Sequence, residues 1–163
     1  MADKATSSSN ASIFLDEIKS SISGTLIYIP AVAIAASSGE GGVFSDGIVN
    51  STSSDLLTTA NSYLGGVSAV ATGDQIMWIA VKNMSATATD GICLSLDAGT
   101  AAYNLVDGIF IGSGEMVSFK SPYCTVADLH AASVTMNATY GFPSGSHSGA
   151  VACHVAAILK NVG

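Results

Sequence analysis

The stretch "GFPSGSHSG", residues 141–149, brings three serines and a histidine together near the end of the chain. A serine hydrolase would use this chemistry, with Ser144, Ser146 or Ser148 as nucleophile and His147 as base. The nucleophile-elbow pattern G-x-S-x-G is absent, because its central position in "GSHSG" is His147. The segment separates two strand-like runs, "ASVTMNATY" and "VACHVAAIL", and Gly, Pro and Ser suit a connection between them. The reading is a loop tip, with hydrolysis through "GSHSG" kept as an alternative.

Other candidate chemistry is weaker. "GSGE" at 112–115 leads into a strand and lacks the Gly-Lys-Ser/Thr of a phosphate loop, so it reads as a turn. Asp90, Asp97 and Asp107 would need a spaced acidic loop to bind calcium, and none is present. Cys93, Cys124 and Cys153 lack a CxxC pair and read as buried thiols; a zinc site with His130, His147 or His154 has no spacing motif. Glycoside hydrolysis needs two carboxylates across a cleft. Glu115 is the sole glutamate of the β-rich half, and Trp78 lies in the most apolar run. The expectation is no catalytic residues, no metal and no cofactor.

Composition narrows the partners. At 163 residues the chain is long enough for one domain with a real core. Charged residues make up 10%, so small hydroxylated side chains must form much of the surface, which favours assembly. The net charge is -7 and arginine is absent, which argues against nucleic acid and an anionic membrane surface. No apolar run is long enough to span a bilayer, and the amino end lacks a signal-peptide pattern. Synthesis in the cytoplasm is expected.

The elements that must position these residues are mostly strands. The exception is "SIFLDEIKSSISG", which reads as a short amino-terminal helix: Ser12 caps it, Gly24 ends it, and Phe14, Leu15, Ile18 and Ile22 share a face. "TLIYIPAVAIAAS", with Tyr28 and Ile29, is apolar on both faces and carries Pro30, as a strand between its own core and a partner would. "IMWIAVKN" reads as a central strand with Trp78 in the core. "ICLSLD" alternates, with Ile92, Leu94 and Leu96 inward. "GIFIGSGEMVSFK" is strand, turn, strand, with Val117 and Phe119 on one side and Met116, Ser118 and Lys120 on the other. In "VADLHAASVTM" the apolar phase slips as at a β-bulge, and "VACHVAAIL" points Val151, Cys153, Val155, Ala157 and Leu159 to one face. The expected fold is mainly β: an antiparallel β-sandwich or jelly roll over residues 25–163, preceded by an arm and helix over residues 1–24.

From about Gln75 to Met136 the order "IMWIAVKN", a Thr/Ala-rich turn, "ICLSLDAG", "YNLVDGIFIGSGEMVSF" and "TVADLHAASV" resembles the small β-sandwich or jelly-roll structural proteins of tailed-phage virions, of the capsid decoration or cement type. In those an Ile/Val-rich strand ends in Asn, and a Gly-Glu turn, here Gly114 and Glu115, opens the next strand. The resemblance implies a non-enzymatic subunit made in the host cytoplasm. It would bind the major capsid protein on the outer surface of an assembled head, associate with copies of itself as a homotrimer, and reinforce capsomer contacts. Phe14, Leu15, Ile18, Ile22, Tyr28 and Ile29 are the expected docking residues, and Trp78, Leu94 and Phe119 core. A carbohydrate-binding tip or tail accessory module, using Tyr103, Tyr123 and Tyr140, is the alternative.

Overall fold

The computed structural model describes residues 4–15, 18–30, 39–52, 54–57, 63–64, 69–97 and 108–161; within these, the side chains of residues 13–15, 18–20 and 54 are not described. The chain is mainly β, with antiparallel sheets and one short 3-10 turn among the described residues. The strands are β1 (Ala5–Leu15), β2 (Ile18–Tyr28), β3 (Glu40–Val49), β4 (Ser54–Asp55), β5 (Gln75–Asn83), β6 (Asp90–Ser95), β7 (Ile109–Ile111), β8 (Met116–Thr125), β9 (His130–Met136), β10 (Pro143–Ser146) and β11 (Val151–Lys160).

One sheet has the order β3-β11-β5-β8; a second has the order β10-β9-β6-β7, with β4 also on β9. Among the described residues β1 and β2 pair only with each other. Alternation decides the inner faces. Val43, Val49, Ile79, Val81, Val151, Val155 and Leu159 of the first sheet share one buried core with Ile92, Leu94, Ile111 and Ala131 of the second and with Leu129 just before β9. Burying each such side chain contributes about 1.5–3 kcal/mol before conformational entropy is charged against it. Leu57, Tyr63 and Val70 join that core.

Buried polar groups tie the layers. Asn83, fully buried at the end of β5, donates through Nδ2 to the carbonyls of Asp90 (2.9 Å) and Ile111 (3.2 Å) in the second sheet. Its Oδ1 accepts the amide of Ser85. The Tyr63 hydroxyl donates to Oδ2 of the fully buried Asp74 at 2.6 Å, and its ring lies over Gly41, where an added Cβ would overlap it.

Three expectations are corrected. The described residues of 12–24 are strand, not helix: β1 runs through to Leu15, β2 starts at Ile18, and Ser12 faces Ser21 across the ribbon. The apolar spacing there fits a helical face, but the Ser/Thr-rich flanks favour extended backbone, and the antiparallel register satisfies it from Ala5↔Tyr28 to Leu15↔Ile18. Gly24 lies mid-strand opposite Ser9. The slip in "VADLHAASVTM" is no bulge of β9, whose pairing with β6 is regular. A 3-10 turn (Val126–Asp128) precedes it, and β9 is buried on both faces: Leu129 and Ala131 join the main core, while Val134 and Met136 pack with Cys93 and Phe110 on the far side. The loop tip at 141–149 contains a short strand, β10, paired with β9.

Trp78 and Leu94 are buried, and Phe119 packs, partly buried, against the core. Trp78 is set on the opposite face of β5 from Ile79, and among the described residues its Nε1 has no hydrogen-bond partner. Leu96 lies beyond the end of β6 and is partly exposed.

Candidate docking surface

Pairing sorts the arm formed by β1 and β2 into two unlike faces. Ala5, Ser7, Ser9 and Ala11 stand opposite Tyr28, Leu26, Gly24 and Ile22, which makes one face apolar or small. Thr6, Ser8, Asn10 and Ser12 stand opposite Ile27, Thr25, Ser23 and Ser21, a largely hydroxylated face on which Ser8 and Thr25 share a 3.4 Å contact. Eleven residues per strand at roughly 3.3 Å each give a ribbon about 36 Å long.

The apolar face is covered only near its base. Ala5, Ser7, Leu26 and Tyr28 are half-buried, whereas Ser9, Ala11 and Gly24 are exposed and Ile22 is 74% exposed. Between arm and body, Ser7, Ser9 and Leu26 face Met116, Ser118 and Lys120 of β8 across a gap of about 550 Å³. The Tyr28 hydroxyl donates to Oε1 of Glu40 at 2.7 Å and so fastens the base of the arm to β3. Burial, then the bond and charge of Glu40, push the Tyr28 phenol up to about 12.

The second exposed apolar area is the outer face of the β3-β11-β5-β8 sheet. Its strand register sets side chains in rows: Phe44, Ala156, Ala80 and Ser118, then Asp46, His154, Lys82 and Met116. Ile48 and Ala152 continue the pattern, and the Met84 amide bonds to the Ala152 carbonyl. Phe44, Ile48, Met84 and Met116 are all exposed. Phe44 packs edge-on against His154, whose Nε2 lies 3.1 Å from Oδ1 of Asp46. The small Ala80 and Ala156 between Phe44 and Met116 leave a groove of about 170 Å³.

Of the sequence-derived docking residues, Ile22 and Ile29 are exposed and Tyr28 is held at the base. Phe14, Leu15 and Ile18 belong to the distal end of the arm, with side chains outside the described part. Sequence reasoning missed Phe44, Ile48 and Met116. Their signal was present, since Phe44 and Ile48 occupy the phase of β3 opposite to the core residues Val43 and Val49.

The remaining candidates are placed apart from this surface. His147 lies 3.3 Å from Oδ1 of Asp90, Ser144 Oγ donates to the Thr135 carbonyl, and among the described residues no serine hydroxyl bonds to His147. Asp97 accepts from Ser95, Asp90 accepts from Ser85, and Asp107 lies outside the described residues. No group of three metal-ligating side chains occurs among the described residues. At "GSGE", Gly114 has φ +73° and the Glu115 carboxylate accepts the Gly112 amide, which is the expected turn. All three cysteines are buried thiols. Tyr123 is exposed, Tyr140 stacks on Phe142 at 5.8 Å, and Tyr103 is outside the described residues. No described helix is long and apolar enough to cross a membrane.

No family model, curated protein or solved structure matches this chain.

Proposed function

We propose that this chain is a virion structural protein, a capsid decoration or cement subunit with a jelly-roll body and a β-hairpin arm that docks it. It is made in the host cytoplasm and binds the major capsid protein on the outer surface of the head. It works with copies of itself, without cofactor or catalytic step. The nested pairings β3 with β11, β4 with β9, β5 with β8 and β6 with β7 support the jelly-roll reading, since they describe one long antiparallel strip folded over into two sheets.

The observation that carries the functional reading is the arm. A lone two-stranded ribbon is marginal in water, yet this one has an apolar face that continues past its own body to a bare Ile22. Such a face gains by covering a neighbour, and each contact is multiplied over the repeated sites of a shell.

Cosedimentation with empty heads of the encoding phage tests this. The full chain is expected to saturate the heads, and a chain starting at residue 30 to retain about a tenth of that occupancy or less while keeping its β-type circular dichroism. Equal occupancy of the two, or no binding by the full chain, refutes the proposal. The exposed stack of Tyr140 on Phe142 favours a second reading, a carbohydrate-binding tip module. Oligosaccharide titration followed at those two rings would distinguish it.

A further inference from the structure

The outer face of the β3-β11-β5-β8 sheet is self-complementary, and we infer that it pairs two copies of this chain about a two-fold axis running along β11. This pairing follows from the rows of side chains and does not depend on the capsid reading. A two-fold along the middle of a sheet face sets β3 of one copy over β5 of the other, with each row kept in register.

Three juxtapositions follow. Phe44 of one copy comes over Ala80 of the other, a large ring over the small residue that floors the groove. That groove, about 170 Å³, is comparable to the roughly 150 Å³ cavity that accepts a benzene ring. Asp46 comes over Lys82, so acid meets base twice across the axis; among the described residues no carboxylate pairs with Lys82 within its own chain. Ile48 comes over Met84, joining two exposed apolar side chains. A three-fold arrangement would not bring one face onto itself in this way, so the inferred unit is a pair rather than the trimer implied by the resemblance.

The face is interrupted where it should be. Toward the Glu40 end, Trp78 and Ile158 on the same outer side are already buried, and Tyr28 bonds to Glu40 there. The bare rows begin at Phe44. Three overlaid strands at roughly 4.8 Å and three rows at roughly 7 Å give a patch of about 300 Å² per copy, about 600 Å² for the pair. That lies below the roughly 1,200 Å² of stable interfaces and in the range of weak, transient ones, so a pair that dissociates on dilution through the high-micromolar range is expected.

Sedimentation of the full chain across a concentration series is the test. The mass should rise from that of the 16.3 kDa chain to twice that value. Lys82→Glu alone or Asp46→Lys alone places like charges together at both contacts and should weaken pairing about tenfold or more. An equimolar mixture of the two single variants should pair again, because each mismatch is then relieved by the other copy. This rescue also shows that both variants are folded. A single-chain mass at all concentrations, a three-chain mass, charge variants that pair like the parent, or a mixture that fails to recover overturns the inference.

Discussion

Replacing Tyr63 by Phe removes one hydroxyl from the segment that clamps the start of β3. In the parent chain that hydroxyl donates to Asp74 Oδ2 at 2.6 Å; the same oxygen accepts the Ala71 amide at 2.9 Å, and Asp74 Oδ1 has no partner among the described residues. Asp74 is fully buried, so water cannot replace the lost donor. A hydrogen bond to a charged group contributes about 1.5–3 kcal/mol, and stranding its partner in the core puts Tyr63→Phe at about 2–3 kcal/mol. For a chain of this length that lowers the melting temperature by about 5–10 °C. The effect has a pH signature. Burial first, then the bond to Asp74 and its charge, hold the Tyr63 phenol well above its ordinary value of 10.0. A raised folded value contributes stability that is complete below the unfolded value and is lost as pH rises through the folded one. The gap between parent and Tyr63→Phe should therefore be constant from neutral pH to about 9 and narrow above about 10. Tyr28, also raised, titrates in both chains and cancels in the difference. Urea unfolding at a series of pH values reads the gap directly. A variant within about 0.5 kcal/mol of the parent at neutral pH, or a gap unchanged at about pH 11, would refute the reasoning.

Asn83→Ala strands the carbonyls of Asp90 and Ile111 between the sheets and should cost about 2–4 kcal/mol in the same urea assay. Burial raises the Cys124 and Cys153 thiols, so neither should react with a thiol reagent at neutral pH until denaturant is added. The Asp128 carboxyl is held below its usual range by the amide and hydroxyl of Thr125, both donating at 2.8 Å. Its contribution is present above the unfolded carboxylate value and is lost as pH falls through the depressed folded one. Asp128→Asn should flatten the acid limb of stability, measured by thermal melts below about pH 4.

How much of this was legible beforehand differs by element. The alternation in "VACHVAAIL" assigned Val151, Cys153 and Val155 inward and His154 outward, as observed, because a strand's two-residue period depends only on local backbone geometry. The same holds for Val117 and Phe119 against Met116 and Lys120. The arm was misread because Phe14, Leu15, Ile18 and Ile22 satisfy a helical period as well as a pair of antiparallel strands. Only pairing between distant backbone groups separates the two. β9 differs for a related reason: apolar residues on both faces look like a shifted phase unless the second cluster, Val134 and Met136 with Cys93 and Phe110, is known.

The sequence by itself determined the β class, the sparse charge, the want of arginine and the composition of the core, since these follow from residue type and local period. The tertiary structure decided which exposed residues act together. Phe44, Ala156 and Ala80 share a row only because β11 pairs with β3 on one side and β5 on the other. Lys82 reaches the row of Asp46 by the same register. Alternation says that a side chain points away from the core; nonlocal backbone pairing chooses its neighbours, and with them the surface that a partner meets.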